Sequence, residues 1–521
     1  MKYILSIVIA LGLTTIGFSQ FNPQSRKITE KYFKDFDFEI TTPAFQKKKG
    51  FTKYKELITF LDSLKQKHPN QVNIQYIGKS QKGKEIPMVT ISNPSNDSSK
   101  LRVWVQGGLH GNEPASTEGA LYLMQQILET PELNKMLNNI ILTIVPMANI
   151  DGYEKQDRYA ANGLDLNRDQ TKLLAQESQH LKLAFSNYHA DVALDMHEYR
   201  PYRKDFIKFS EFGTTSYFDV MFLYSGNLNV PEPLRNFTKE KFVYNACLEL
   251  DKHQLSHREY ISTTSIHGEL QFNQGSTNSR SSATSFALSH CISSLIEVRG
   301  VGIGRTSFKR RVFTTYSVAL SYITTAANNM NEIKSILAST KPSLNKDIVI
   351  TSKKKVYGDS LPMIDIASSE LIQLPVIIRD SWQSKPEKTR NRPTSYIILP
   401  GNDEIIKRLH ILGIETSIIN TNTEMNVEVY TVVDLKTEPY KYEGVKRQFT
   451  NTTLSKEKKS IPIGSHRVSL DQKRANLLIE VMEPESGNSF VTFHLIECEL
   501  NKQLPYYRIS TTKTINEFKT L

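Results

Sequence analysis

The chain has 521 residues, 39% of them hydrophobic, 23% charged and 9% aromatic. That composition excludes disordered, collagen-like and fibrous chains. Lysine and arginine outnumber aspartate and glutamate by 65 to 54, a formal charge of +11. Cys247, Cys291 and Cys498 form no CxxC pair, which excludes a disulfide-dense scaffold and argues against a cysteine-held zinc or redox site. An odd count leaves at least one thiol unpaired or bridged to a partner. At ~150 residues per domain, this length predicts two or three domains.

The first residues are a different material. Met1-Lys2-Tyr3 brings one positive charge, residues 4–13 are apolar, and Gly17-Phe18-Ser19 precedes Gln20. This is the layout of a signal peptide over residues 1–20, and its apolar run is short for a bilayer span of about 20 residues. The alternative is an uncleaved anchor helix. No cysteine follows the run, so no lipoprotein anchor is expected. Residues 21–50 read as an N-terminal arm. The expectation is a secreted or periplasmic protein with no stable membrane insertion. The basic residues are dispersed, with short clusters at Lys47-Lys48-Lys49 and Lys353-Lys354-Lys355. They read as solvated surface, and without a binding motif no nucleic-acid partner is expected.

Residues 51–340 alternate helical and strand-like stretches. Leu57, Ile58, Phe60, Leu61 and Leu64 have helical spacing over residues 54–67. Residues 101–105 form a short strand ending in Gly107-Gly108, and Pro114 opens a helix over 114–128. Residues 140–145 are a buried strand, 171–188 a helix, and 192–196 and 291–298 strands again. The pattern predicts an α/β fold: a mixed, largely parallel central sheet with helices on both faces. Residues 345–521 read as a smaller β-rich domain. Its short strands include 348–350, 374–378, 396–399, 427–433, 477–481 and 490–495, with one helix over 403–412. The charged stretch 436–459 reads as a loop.

The chemistry gathers in the first part. His110-Gly111-Asn112-Glu113 follows a strand and two glycines and precedes a helix. Imidazole and carboxylate are both zinc ligands. Alone, the spacing fits either a metal site or a capping Glu113 beside a satisfied histidine. His197 ends the strand 192–196, and in open α/β sheets ligands gather at the carboxyl ends of strands. Two histidines and a glutamate would complete a three-ligand zinc shell with an open position. Between them, Asn167-Arg168 sets a neutral donor beside a forked cation suited to a carboxylate, and Arg158 is a separate cation that could face a developing oxyanion. Each arginine could equally sit in a surface salt bridge. Glu297 stands in an otherwise apolar strand, where a carboxylate is costly without a task or a partner such as Arg299 or Arg305.

The segments HGNE, NIDGY, RYAANGLDLNRD, DMHEY and IEVRG occur in that order. Together they resemble the zinc metallocarboxypeptidase (carboxypeptidase A-like, funnelin) family over residues 51–331. Gly78-Lys79-Ser80 and Gly83-Lys84-Glu85-Ile86 resemble its early strand pair. The resemblance implies one Zn2+ per chain, held by His110, Glu113 and His197. It implies that Glu297 carries the proton between water and leaving amine, that Arg158 stabilises the oxyanion, and that Asn167 and Arg168 hold the substrate's free carboxylate. The implied substrate is a peptide or peptide-like molecule cut at its C-terminal amide bond.

The tyrosine this family places shortly before its catalytic glutamate has no counterpart in residues 271–291. Tyr244 and Tyr260 are the nearest, and neither is assigned that role. His253, His257 and His267 read as structural or exposed. Arg280 lies where a specificity pocket for acidic side chains could form, or on the surface. Residues 300–304 lack the GK[ST] ending of a phosphate loop and read as a tight turn. Two alternatives stand beside the exopeptidase. One is a zinc amidase or deacylase acting on peptidoglycan stem peptides or N-acyl amino acids. The other is a non-catalytic zinc-binding surface protein, whose expected mark, loss of a ligand or of Glu297, is missing here.

Overall fold

A computed structural model of the chain describes residues 22–94, 99–342 and 347–510. The signal segment expected over residues 1–20 lies outside them. Strands are β1 (Val72–Lys79), β2 (Glu85–Ile91), β3 (Leu101–Gly107), β4 (Ile140–Val145), β5 (Val192–Tyr199), β6 (Thr214–Ser216), β7 (Val220–Tyr224), β8 (His257–Glu259), β9 (Ile261–Ile266), β10 (Glu269–Gln274) and β11 (Ile292–Arg299). Then come β12 (Ile348–Asp365), β13 (Leu371–Arg390), β14 (Ser395–Ile398), β15 (Ser417–Ile418), β16 (Thr423–Thr437), β17 (Gln448–Ile461), β18 (His466–Ser469) and β19 (Gln503–Ile509).

The eight-stranded sheet runs β1-β2-β4-β3-β5-β11-β7-β8. Its centre, β4-β3-β5-β11, is parallel, and the β1-β2-β4 edge is antiparallel. Every residue of β4, β5 and β11 is buried, the mark of strands covered on both faces. Trp104 of β3 meets Phe185 of the helix Gln176–Tyr188 edge-on at 5.6 Å, and Phe185 stacks on Phe286 at 4.0 Å. Helices Pro114–Glu129 and Phe308–Asn328 cover the other face. The expected α/β sheet with helices on both faces is the observed one.

Two further sheets complete the chain. The five-stranded β6-β12-β13-β10-β9 sheet mixes strands from before and after residues 343–346, with β10 parallel to β13 (Phe272 opposite Ile378). The six-stranded sheet runs β15-β18-β14-β19-β16-β17. Three local expectations are corrected here. Residues 477–481 belong to the helix Ala475–Met482, which is buried along its whole length. A short apolar run buried on all sides does not reveal its period. Residues 490–495 are turns. The charged stretch 436–459 is largely strand: β16 and β17 pair across it, with Asn426 opposite Lys458 and Lys458 3.3 Å from Glu424. It is polar because much of the hairpin is exposed to water.

The turn after β3 packs with no space to spare. A side chain at Gly111 would collide with the backbone of Gly152, Tyr153 and Asp157. Gly111→Ala should therefore cost about 1–3 kcal/mol, the usual range for overpacking. A lowered denaturant midpoint in equilibrium unfolding checks this, and an unchanged midpoint contradicts it.

Candidate metal and catalytic site

The site is built at strand ends. β3 stops at Gly107, and Gly108 turns the chain with φ +66°, a conformation glycine adopts without strain. The Gly108 N–H donates to Ser116 Oγ at 2.9 Å, and that hydroxyl donates to Glu113 O at 2.6 Å. The loop is thus folded onto the start of the helix, and His110 Nδ1 lies 2.7 Å from Glu113 Oε1. His197 comes from β5, where the parallel register sets it directly beside Glu297 of β11. Its Nδ1 is 2.8 Å from Glu113 Oε2 and 3.0 Å from His110 Nδ1. All three side chains are buried.

The donor set fits zinc. His197 Nε2 lies 2.8 Å from Asp195 Oδ2, and His110 Nε2 lies 3.1 Å from Asp165 Oδ1. Ionised carboxylates accept only, so each Nε2 carries the proton and each Nδ1 keeps its lone pair. Two such lone pairs and a carboxylate oxygen then converge on one point. They repel one another unless a cation sits among them. Two imidazole nitrogens and one carboxylate oxygen are ligands zinc accepts. These side chains form the group of His, Cys, Asp and Glu found within metal-holding reach among the described residues. A proton can take the place of that cation, and the ionisation equilibria show the pull of the cluster for positive charge. Burial pushes the Glu113 carboxyl up, but His110 and His197 outweigh it and hold the carboxyl below its ordinary value. Burial pushes His197 down, but Asp195 and then Glu113 raise it well above.

The remaining predicted residues stand around one cavity of about 660 Å³, lined in part by His110, Arg158, Asn167, Arg168, Tyr260 and Glu297. Arg158 donates Nε and Nη2 to Asp165 Oδ2 at 3.0 and 2.9 Å, and its Nη1 is 3.3 Å from His110 Nδ1. Asn167 accepts the Ser282 N–H on Oδ1 at 2.8 Å, which fixes the amide orientation and leaves its NH2 as donor. Arg168 Nη1 donates to Asn167 O at 2.8 Å. Burial, with the charge of Glu113 behind it, pushes Glu297 up to about 7, against the pull of both imidazoles and Arg158. Neither arginine named as its alternative partner pairs with it. Arg299 donates to Gln24 Oε1 at 2.7 Å and Thr215 Oγ1 at 2.9 Å, and Arg305 to Ala44 O at 3.1 Å.

Arg280 differs from expectation. Arg280 is neither on the surface nor in this cavity wall: it is buried and paired with Glu443, which also receives Lys172 at 2.9 Å. His253 lies beside Glu249 and His257 beside Asp251, at 3.3 and 3.0 Å. Asp151 of NIDGY accepts from Ser80 Oγ and the Lys82 N–H at 3.0 and 2.9 Å, tying that motif to the first hairpin. Glu198 turns away from the cavity's histidines to Arg311 and the Ala115 N–H. Sequence reasoning missed Asp165 and Asp195. For Asp195 the available signal was the Asp-x-His spacing on a strand, which puts both side chains on one face. Tyr260, named there without a role, lines the cavity, and its hydroxyl is pushed up to about 12 by burial and then by Glu297.

Asp195→Asn should weaken zinc binding by roughly 10–100-fold, because the amide no longer fixes the His197 tautomer. Competition against a chromophoric chelator measures this, and unchanged affinity would remove Asp195 from the site.

Comparison with known proteins points the same way. The zinc carboxypeptidase family profile matches residues 57–214. Carboxypeptidase 2 of Trichophyton rubrum is 30% identical over 448 residues, covering 83% of this chain and 81% of the relative. Probable carboxypeptidase 2 of Trichophyton verrucosum is 30% identical over 422 residues, covering 78% and 80%. The crystal structure of carboxypeptidase A from Helicoverpa armigera superposes with a TM-score of 0.42 at 19% identity, covering 54% of this chain and 75% of that one. The chain belongs to the zinc carboxypeptidase family, and it is a metallopeptidase hydrolase.

Proposed function

We propose that this chain is an exported exopeptidase that removes C-terminal residues from peptides, with one zinc ion per chain held by His110, Glu113 and His197. The observation that supports it most is that Asn167, Arg168 and Glu297 line the same cavity as His110 of the His–Glu–His cluster. Export rests on the layout of residues 1–20. The catalytic part lies within residues 51–340, and Lys354 and Met363 of β12 add to the cavity wall.

When bound, zinc supplies Lewis acidity, polarising a carbonyl and making water acidic enough to lose a proton near neutral pH. The protein does the rest. The Asn167 NH2 and the Arg168 guanidinium grip the substrate's terminal carboxylate, which selects a chain end and sets the last amide bond at a fixed distance. Glu297 takes the proton of the attacking water and returns it to the leaving nitrogen as the C–N bond breaks. Its raised pKa, with burial as the first cause, suits both halves of that task. Arg158, anchored by Asp165, presents Nη1 to the negative charge that develops on the carbonyl oxygen.

Glu297→Gln should keep zinc and lose roughly 10²–10⁴-fold in kcat, since it removes the proton carrier and no ligand. Near-normal turnover would reject the role. Incubation of a peptide mixture with zinc-loaded protein should yield ladders shortened from the C-terminus by mass spectrometry. In the same assay, amidated peptides should resist, and Arg168→Ala should raise KM for free C-termini. Equal rates on amidated and free peptides would overturn the clamp, and intact peptides beside trimmed wall fragments would favour the amidase.

A further inference from the structure

The cavity holds a charged group that this mechanism does not use. Lys353 and Lys355 are exposed, as solvated lysines should be, but Lys354 is half-buried and lines the same cavity as Glu297 and Arg168. The strand explains why. Successive side chains of β12 point to opposite faces, so Lys354 turns to the cavity while Lys353 and Lys355 face water. The β12–β13 register also shifts here, Lys353 facing Lys385 and Lys355 facing Asp380, as it does at two earlier places.

Lys354 Nζ donates to Asn273 Oδ1 at 2.9 Å, and Asn273 is itself in the cavity wall. Among the described residues, the ammonium has no ion-pair partner within salt-bridge reach. The nearest carboxylate that influences it, Asp380, already accepts the Trp382 N–H at 2.8 Å and Gln383 Nε2 at 2.7 Å. Arg379 adds a second positive charge nearby. A partly buried cation with only a neutral partner costs free energy unless an anion joins it. The cavity wall mixes apolar groups such as Leu223 and Phe272 with neutral polar ones such as Thr263 and Ser276. A half-buried ammonium in such a wall fits a short side chain that ends in a carboxylate. At the rim, Arg200, Arg203 and Lys204 are exposed and line the same cavity, with Asp205 as their acidic neighbour, 3.9 Å from Arg203. That excess of positive charge draws in anionic peptides.

We propose that Lys354 is a specificity-determining residue that binds an acidic side chain within the last two residues of the substrate, so that the preferred substrates are acidic peptides. The inference rests on the carboxypeptidase reading of this cavity. It also moves the acidic-specificity role from Arg280, whose charge is taken up by Glu443, to a lysine on a later strand.

The test uses matched peptides with Glu or Gln at the terminal or the penultimate position. Wild-type kcat/KM should favour Glu at one of the two positions by on the order of tenfold, a size in keeping with a partly buried charge pair. The preference should fall to about one in Lys354→Met, persist in Lys354→Arg, and turn toward Lys-bearing peptides in Lys354→Glu. Calorimetric binding of the same peptides to the Glu297→Gln protein reads recognition without turnover and should show the same ratio. Equal wild-type rates on Glu and Gln peptides, or a preference that survives Lys354→Met, overturns the assignment. Discrimination in binding with no hydrolysis of either peptide upholds Lys354 and rejects the carboxypeptidase reading instead.

Discussion

Two imidazole nitrogens 3.0 Å apart, each within hydrogen-bond distance of the same buried glutamate, constrain everything around them. The far side of each ring is tied to an aspartate, which turns both Nδ1 atoms to the shared centre, with Arg158 Nη1 3.3 Å from that of His110. Three separated segments are therefore held where like partial charges meet. Only a rigid frame tolerates that, and the fully buried parallel strands of the central sheet provide it. The register that puts His197 beside Glu297 brings the acid–base group to the metal-binding cluster without any loop having to find it.

Asp165 links the cluster to the cavity. It accepts from His110 and from Arg158, and the Asn167 N–H donates to it at 2.8 Å. One buried carboxylate thereby orients a metal-facing ring, a guanidinium beside that ring, and the segment that carries the Asn167–Arg168 clamp. Burial works against its charge, but His110 and Arg158 hold it well below the usual carboxylate range. Glu297 is the opposite case, raised by burial and by the neighbouring Glu113. Two carboxylates in one site are thus pushed apart in acidity, one permanently charged and one able to exchange a proton.

Much of this was legible in the sequence. Strand ends followed by glycines or histidines mark sites in open α/β sheets, so His110, Glu113 and His197 could be read from local pattern and order. Asp195 had its Asp-x-His spacing as a signal, but Asp165 was harder: a single aspartate next to apolar residues carries no sign of what its oxygens face. Arg280 could not be placed, because its partner Glu443 lies 163 residues away. Lys354 looked like one of three equivalent lysines because the sequence did not show which face of β12 the cavity would lie on. The helix Ala475–Met482 passed for a strand because it is buried on every side. What escaped sequence reading depends on long-range contacts.

The most direct measurement is anomalous diffraction at the zinc edge from crystals of the zinc-loaded protein. The account predicts a single zinc per chain, with His110 Nδ1, His197 Nδ1 and a Glu113 carboxylate oxygen each at about 2.0–2.2 Å. A peak held by other residues, or by the Nε2 atoms with the rings turned over, would contradict it.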